Sequence, residues 1–449
     1  MENILMISYT FPPLNTIGCR RVYAWAKYLR RLGHKVSILT ADTPDDERTK
    51  NFEVDCSPFQ VHRLSYPDPR GLIKMILKVQ GPISDEFGSL KKKRLIVLLM
   101  DKILKMTNRY LSSKGVLFGG TRMPTFSDLW FLTACKKAEE IVREQNIKVI
   151  ITSSPPTVAN LVGMALKKRF KNILYIQDFR DLWTQHPTHK GLFPFRLIEG
   201  FLERKCINQS DIIITVSEIL KHQMQEKYPH KKKDIFVIEN GYDEEWLIEM
   251  SLDNFPSNKP KKIIVYTGTL YEKRCNPEWL FKVIDKNYTY LKDKMEISFY
   301  GAYETKVILD KFFDKYPSTK EIIKYGGFLS ANDTFYEQKK ADVLLFIETD
   351  KENDGVLTGK LFEYMALRKP ILCLGISSSS YVGSILQKSG LGIFCGDDTR
   401  LIEQNLNSII KEEARICPNE DFISNFSHEK QVNRLDEIIK HQTKLVVKP

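Results

Sequence analysis

The chain lacks most of what would tie it to redox, metal or membrane-spanning chemistry. Its eight cysteines are scattered without CxxC or Cys/His spacing, so neither a disulfide framework nor a zinc site is suggested. Apolar runs such as Leu95–Met100 fall far short of the about 20 residues that cross a bilayer. The start, Met1-Glu2-Asn3-Ile4, has no basic segment or cleavage site of a secretory signal. A cytoplasmic protein is expected, with the inner face of the cytoplasmic membrane as a further station. No GxGxxG fingerprint and no DxD-type metal motif occur, so neither a dinucleotide cofactor nor a bound metal is expected. The formal net charge is +12, but no RNP-type aromatic motif or helix-turn-helix pattern accompanies it, which argues against nucleic acid. Such an excess also suits anionic lipid, an anionic substrate or plain solubility.

What is present is an ordinary globular composition, 42% hydrophobic and 28% charged. At 449 residues the chain exceeds the roughly 250–300 at which a single core stops growing, so two domains are expected. Each half reads as alternating buried strands and amphipathic helices. Ile4–Tyr9 is a strand that runs into Thr10-Phe11-Pro12-Pro13, where two prolines forbid a central strand. Gly18 follows, a place where backbone can approach a ligand closely. Val22, Trp25, Ala26 and Leu29 then recur at helical spacing, and Val36–Thr40 is the second strand. Loops at the carboxyl edge of such a sheet are where open α/β folds bind ligands.

Residues 91–106 join Lys91-Lys92-Lys93-Arg94 to a long apolar stretch. That composition fits either a helix in the interface of an anionic membrane or one packed on the core with a charged outer face. Further on, the strands Val149–Thr152 and Ile173–Ile176 lead to Ser153-Ser154-Pro155-Pro156 and to Gln177-Asp178-Phe179-Arg180-Asp181-Leu182-Trp183. Two carboxylates, an arginine and a tryptophan so close together make a polar site with an aromatic wall, or else a solvated salt bridge.

A linker rich in Pro, Asn, Ser and Lys spans Ser251 to Lys262, and the α/β pattern restarts at Ile263–Thr267. Gly268 and Thr269 open its loop, and Arg274 lies further along it, suited to fork onto phosphate oxygens. Later strands end at Gly301 and at Gly326-Gly327-Phe328. The strand Ala341–Ile347 leads to Thr358-Gly359-Lys360-Leu361, which opens a short helix carrying Glu363. A helix start offers unpaired N–H groups and the positive end of the dipole to phosphate. A glutamate one turn in can accept from a sugar diol, so the pair matches a nucleoside diphosphate. The alternative is a plain N-cap and a solvated glutamate.

Taken in order, Phe11-Pro12-Pro13 with Gly18 and Arg20, Ser153–Pro156, Asp178–Trp183, Asp211–Ser217, Asn240-Gly241-Tyr242-Asp243, Gly268–Arg274 and Thr358–Ala366 resemble the GT-B glycosyltransferases, in particular the retaining family 4 of bacterial envelope polysaccharide synthesis. The resemblance implies two Rossmann-like domains facing across a cleft. Residues 1–250 would bind acceptor and 251–425 the nucleotide sugar, with 426–449 returning to the first domain. It implies Asp178, Arg180 and Asp181 as catalytic residues. Gly18, Arg20, Gly268, Thr269, Arg274, Gly301, Phe328, Thr358, Gly359, Lys360, Leu361 and Glu363 would hold the donor, Glu363 taking the ribose hydroxyls as the second glutamate of an E-x7-E motif. The acceptor implied is a saccharide or lipid-linked saccharide. Two departures stand out. Gly355 occupies the place of the first glutamate, with Glu352 and Asp354 as neighbouring substitutes, and Thr269 stands where an arginine is usual. A nucleotide-sugar epimerase of the same fold and a non-catalytic nucleotide or glycan binder remain the alternatives.

Overall fold

The computed structural model describes residues 1–42, 51–66, 110–111, 114, 116, 121–186, 189–245, 260–271, 275–349, 355 and 357–446. The 91–106 segment, Arg274, Glu352 and Asp354 lie outside the described residues, as does nearly all of the expected linker. The chain divides into two compact units: Met1–Ile238 together with the chain from Leu435, and Glu239–Arg434.

The first unit is built on strands β1 (Asn3–Ser8), β2 (Lys35–Ala41), β3 (Gln60–Leu64), β4 (Val149–Ser154), β5 (Leu174–Phe179), β6 (Ile212–Thr215) and β7 (Ile235–Val237). They pair in the order β3-β2-β1-β4-β5-β6-β7, every pair parallel. β4, β5 and β6 are buried at every position, because helices cover both faces of a parallel sheet. The helix Ile17–Arg31 follows β1. Thr16 caps it by accepting from Cys19 N–H at 3.1 Å, and Arg30 and Arg31 sit in its last turn, where they suit the dipole.

The second unit holds β8 (Lys262–Thr267), β9 (Met295–Tyr300), β10 (Ile323–Gly327), β11 (Val343–Ile347), β12 (Ile371–Leu374) and β13 (Gly392–Gly396). The order is β10-β9-β8-β11-β12-β13, again parallel throughout. Leu361, Phe362, Tyr364 and Met365 of the helix Gly359–Ala366 pack into one side of the core with Leu344 and Phe346 of β11.

Two elements differ from the sequence expectation. β5 runs through Gln177, Asp178 and Phe179 instead of ending at Ile176. A carboxylate is tolerated inside this strand because Arg21 meets it in the core, and Gln177 donates to the Tyr175 hydroxyl at 2.7 Å. The division between units falls at Ile238/Glu239 and not at 250. Tyr242 N–H donates to Phe426 O at 3.1 Å, His428 N–H to Tyr242 O at 2.8 Å, and Asn240 Nδ2 to Leu357 O at 3.2 Å. These bonds fasten the Asn-Gly-Tyr-Asp segment to the second unit.

At Gly163, in the helix Val158–Arg169, an added methyl would overlap the Tyr175 ring. That ring is fully buried and its hydroxyl donates to Asn160 O at 2.9 Å, so it cannot swing away. Alanine normally favours a helix over glycine by about 1 kcal/mol, whereas overpacking costs about 1–3 kcal/mol. Gly163→Ala is expected to lower stability on balance. Urea unfolding checks the sign, and a stabilised variant would show that the ring yields.

Candidate functional site

In each sheet the strand order reverses once, between β1 and β4 and between β8 and β11. The carboxyl ends of the strands flanking such a reversal form the crevice where open α/β sheets bind ligands. Most of the expected site residues lie at one of these two places.

In the second unit, β8 ends at Gly268 and Thr269, and β11 leads to Thr358-Gly359-Lys360. The Lys360 ammonium is half-buried. It donates to the Tyr266 hydroxyl at 3.1 Å and lies 4.3 Å from the centroid of the Tyr266 ring and 5.2 Å from that of Phe346. Aromatic faces hold a cation in a partly dry site without neutralising it. Gly268 is exposed, and a Cβ added there would lie 3.9 Å from Lys360 Nζ. Burial pushes the Tyr266 phenol up well above its ordinary range, so it remains a neutral partner to the lysine.

Thr358 sits at the N-cap of the helix Gly359–Ala366 but makes no capping bond. Its hydroxyl is buried and has no partner among the described residues. The helix start therefore keeps backbone and side-chain donors available for an anion. Glu363, half-buried one turn on, accepts from Gln338 Nε2 at 3.4 Å, and the same amide group donates to Thr267 Oγ1 at 2.8 Å. Tyr364 closes the arrangement, bonded to Thr267 N–H at 3.0 Å. Gly301, at the end of β9, packs so closely on Gly268 O that a Cβ would collide with it. Leu361 is buried in the core, so it supplies backbone only. Phe328 is exposed beyond β10. Gly268 at φ 120° and Gly355 at φ 108° occupy backbone that other residues rarely adopt. The missing first glutamate of the motif is thus matched by a chain path that disfavours any side chain there.

In the first unit the residues separate by role. Asp178 is fully buried. It accepts from Arg21 Nε at 3.1 Å and Nη2 at 2.9 Å, and from Ser153 Oγ at 2.8 Å. Arg21 also donates to Ile238 O at 2.8 Å and lies 4.3 Å from the Trp25 ring centroid. The catalytic role expected of Asp178 does not fit this geometry, since both carboxylate oxygens are committed and neither reaches solvent. Arg180 and Asp181, by contrast, leave the strand end half-exposed. The Arg180 guanidinium donates to Pro155 O, and a methyl at Gly18 would overlap it. Gly18 therefore makes room for Arg180. Burial pulls the Arg180 pKa below its ordinary value, opposed by the nearby Asp178 and Asp181 carboxylates. Arg20 is turned aside: its Nε donates to Asn15 Oδ1 at 2.9 Å and it stacks on Phe52.

The expected aromatic wall is also corrected. Trp183 is buried and donates through Nε1 to Glu199 Oε1 at 2.9 Å. Glu199 further accepts from Arg122 Nε, Arg122 Nη2 and Met123 N–H, each at 2.9 Å. This buried cluster anchors the loop that carries Arg180 and Asp181. Beyond it, the rings of His186 and His189 stack with centroids 4.5 Å apart, and burial lowers the pKa of both. Arg21, Gln338, Glu199 and the histidines were not singled out from sequence, because each meets a partner that no local pattern connects to it.

Residues 107–246 match the family model Glycosyltransferase Family 4. No match is found among curated proteins. Solved structures resemble the chain over nearly all of its length. A glycosyltransferase from Rickettsia africae shares 14% identity at TM-score 0.57, with 100% of this chain and 99% of that one covered. Anabaena HepE in complex with UDP shares 10% at TM-score 0.59, covering 98% and 100%. A UDP-GlcNAc 2-epimerase from Methanocaldococcus jannaschii shares 14% at TM-score 0.53, covering 98% and 100%. At such identities the likeness is one of fold. The fold is GT-B, and the resemblance to family 4-like glycosyltransferases read from the motifs is borne out.

The Arg21–Asp178 pair allows a direct test. Removing one partner of a buried ion pair leaves the other charged and desolvated, at about 3–5 kcal/mol. Arg21→Ala should lose stability on that scale in urea unfolding; a loss below 1 kcal/mol, as typical of surface changes, would mean the pair is not the anchor inferred.

Proposed function

We propose that the chain transfers a sugar from a nucleoside diphosphate donor to a saccharide acceptor, with retention at the anomeric carbon. The observation that carries this reading is the turn Thr358-Gly359-Lys360 at the reversal of the second sheet, with Glu363 one helical turn behind it. The turn supplies N–H groups, a hydroxyl with no partner among the described residues and an aromatic-seated cation for the diphosphate. Glu363, oriented by Gln338, accepts from the ribose hydroxyls. Arg274 adds a further cation by sequence. HepE, a protein of the same fold, was solved with UDP, which favours a nucleotide as ligand.

Transfer of this kind passes through an oxocarbenium-like state. The bond from the anomeric carbon to the diphosphate breaks and negative charge gathers on the departing phosphate, where the turn's donors and Lys360 stabilise it most. These donors serve in place of a metal. The acceptor hydroxyl attacks on the face the phosphate leaves, and its proton passes to a phosphate oxygen. In the first unit Arg180 and Asp181 orient the acceptor, while Asp178 acts by fixing the strand end from which they project. We further propose a lipid-linked saccharide acceptor in bacterial surface polysaccharide synthesis, with residues 91–106 contacting the membrane.

The second reading is epimerisation of a nucleotide sugar, favoured by the structural likeness to the 2-epimerase. It differs in needing no acceptor. A new epimer formed from donor alone would overturn the transferase reading. UDP is the expected ligand among nucleoside diphosphates and should raise the melting temperature in the presence of EDTA. Glu363→Ala should weaken UDP by about 1.5–3 kcal/mol, the worth of hydrogen bonds to a charged group, as read by calorimetry. An unchanged affinity in a folded variant would remove Glu363 from the site. Asp181→Asn should lower turnover while leaving UDP affinity as it was; a fall in affinity alone would assign Asp181 to the donor.

A further inference from the structure

The helix Phe195–Gln209 carries its charges the wrong way round for a solvated surface helix. Both of its carboxylates face the interior. Glu199 is fully buried against Arg122 and Trp183. Glu203, also buried, meets Lys227 Nζ at 2.6 Å and the Thr184 hydroxyl. Outward stand Leu197, Ile198 and Phe201, exposed by 63%, 49% and 57%, with Phe193 at 68% just ahead of the helix. Arg196, Arg204 and Lys205 are exposed on the same helix, and Lys205 Nζ lies 4.2 Å from the Phe201 ring centroid. No carboxylate of this helix is exposed.

Surface helices ordinarily place charged and polar groups of both signs outward. Here large apolar side chains share the outer face with cations alone. We propose that this face docks on the surface of an anionic phospholipid bilayer. Phe193, Leu197, Ile198 and Phe201 enter the boundary between headgroups and acyl chains, and the long basic side chains keep their charges at headgroup level. Charge decides the occupant. A symmetric contact with a second copy would set this cationic face against itself, whereas an anionic leaflet supplies the missing negative charge and attracts each Lys or Arg. The face is made wholly of described residues and does not rest on the transferase reading.

The test is flotation of the full chain with phosphatidylcholine vesicles made with or without phosphatidylglycerol. The chain should float with the anionic vesicles and be released by salt. Leu197→Ser with Phe201→Ser should abolish most of that binding. Arg204→Gln and Lys205→Gln should each weaken it about fivefold. All four positions are exposed, so unchanged thermal unfolding serves as the control on folding. Three outcomes overturn the proposal: the wild-type chain fails to float with anionic vesicles, the face variants float like wild type, or binding is lost only on charge reversal of Lys91–Arg94. A dimer that dissolves in the face variants, seen by sedimentation without vesicle binding, would assign the face to a second copy.

Discussion

The first unit depends on one buried ion pair. The bidentate contact between Arg21 and Asp178 joins the helix after β1 to the middle of the sheet, with Ser153 of β4 and the carbonyl of Ile238 drawn into the same cluster. Desolvating two charges costs several kcal/mol each and is offset only where geometry is good and remaining polar capacity is filled. Here both carboxylate oxygens are occupied, and the guanidinium has Trp25 beside it. What the pair gives is position. It fixes where β5 ends, and therefore where Arg180 and Asp181 begin.

The second unit works by the opposite arrangement. Its candidate site combines a helix-start hydroxyl that has no partner among the described residues with a lysine that donates to Tyr266 and rests on aromatic rings. A buried hydroxyl left without a partner costs stability, and a ligand that accepts its hydrogen bond would recover that cost. Gln338 shows how the supporting layer enters, using one amide group to orient both Glu363 and Thr267.

These differences explain what the sequence makes legible. Strands with continuous apolar runs, such as β11 and β12, can be read directly because burial on both faces leaves no alternation to interpret. The donor-side candidates stand out because Thr358, Gly359, Lys360 and Glu363 are neighbours on one turn. Asp178 misleads for the converse reason. A carboxylate beside an arginine and a second carboxylate looks like a site, and only the arrival of Arg21 from 157 positions away shows that it belongs to the core. The same distance problem hides Glu199, whose partner Arg122 is remote in sequence. It also hides the burial of Trp183, because a tryptophan suits a core as well as a ligand wall. Local pattern reveals residue chemistry, but the assignment of a polar residue to interior or surface is settled by its partner.

The buried cluster around Glu199 has a consequence for how this unit can change over time. Trp183 and Arg122 are pinned from below, and Asp178 is pinned from behind, so the loop between them is held at both ends by buried groups. The polar positions in between, Arg180 and Asp181, can then vary in chemistry without the fold being renegotiated each time. A lineage built on this frame is free to change the loop's side chains, while the two anchors set the limits within which such change leaves a folded protein.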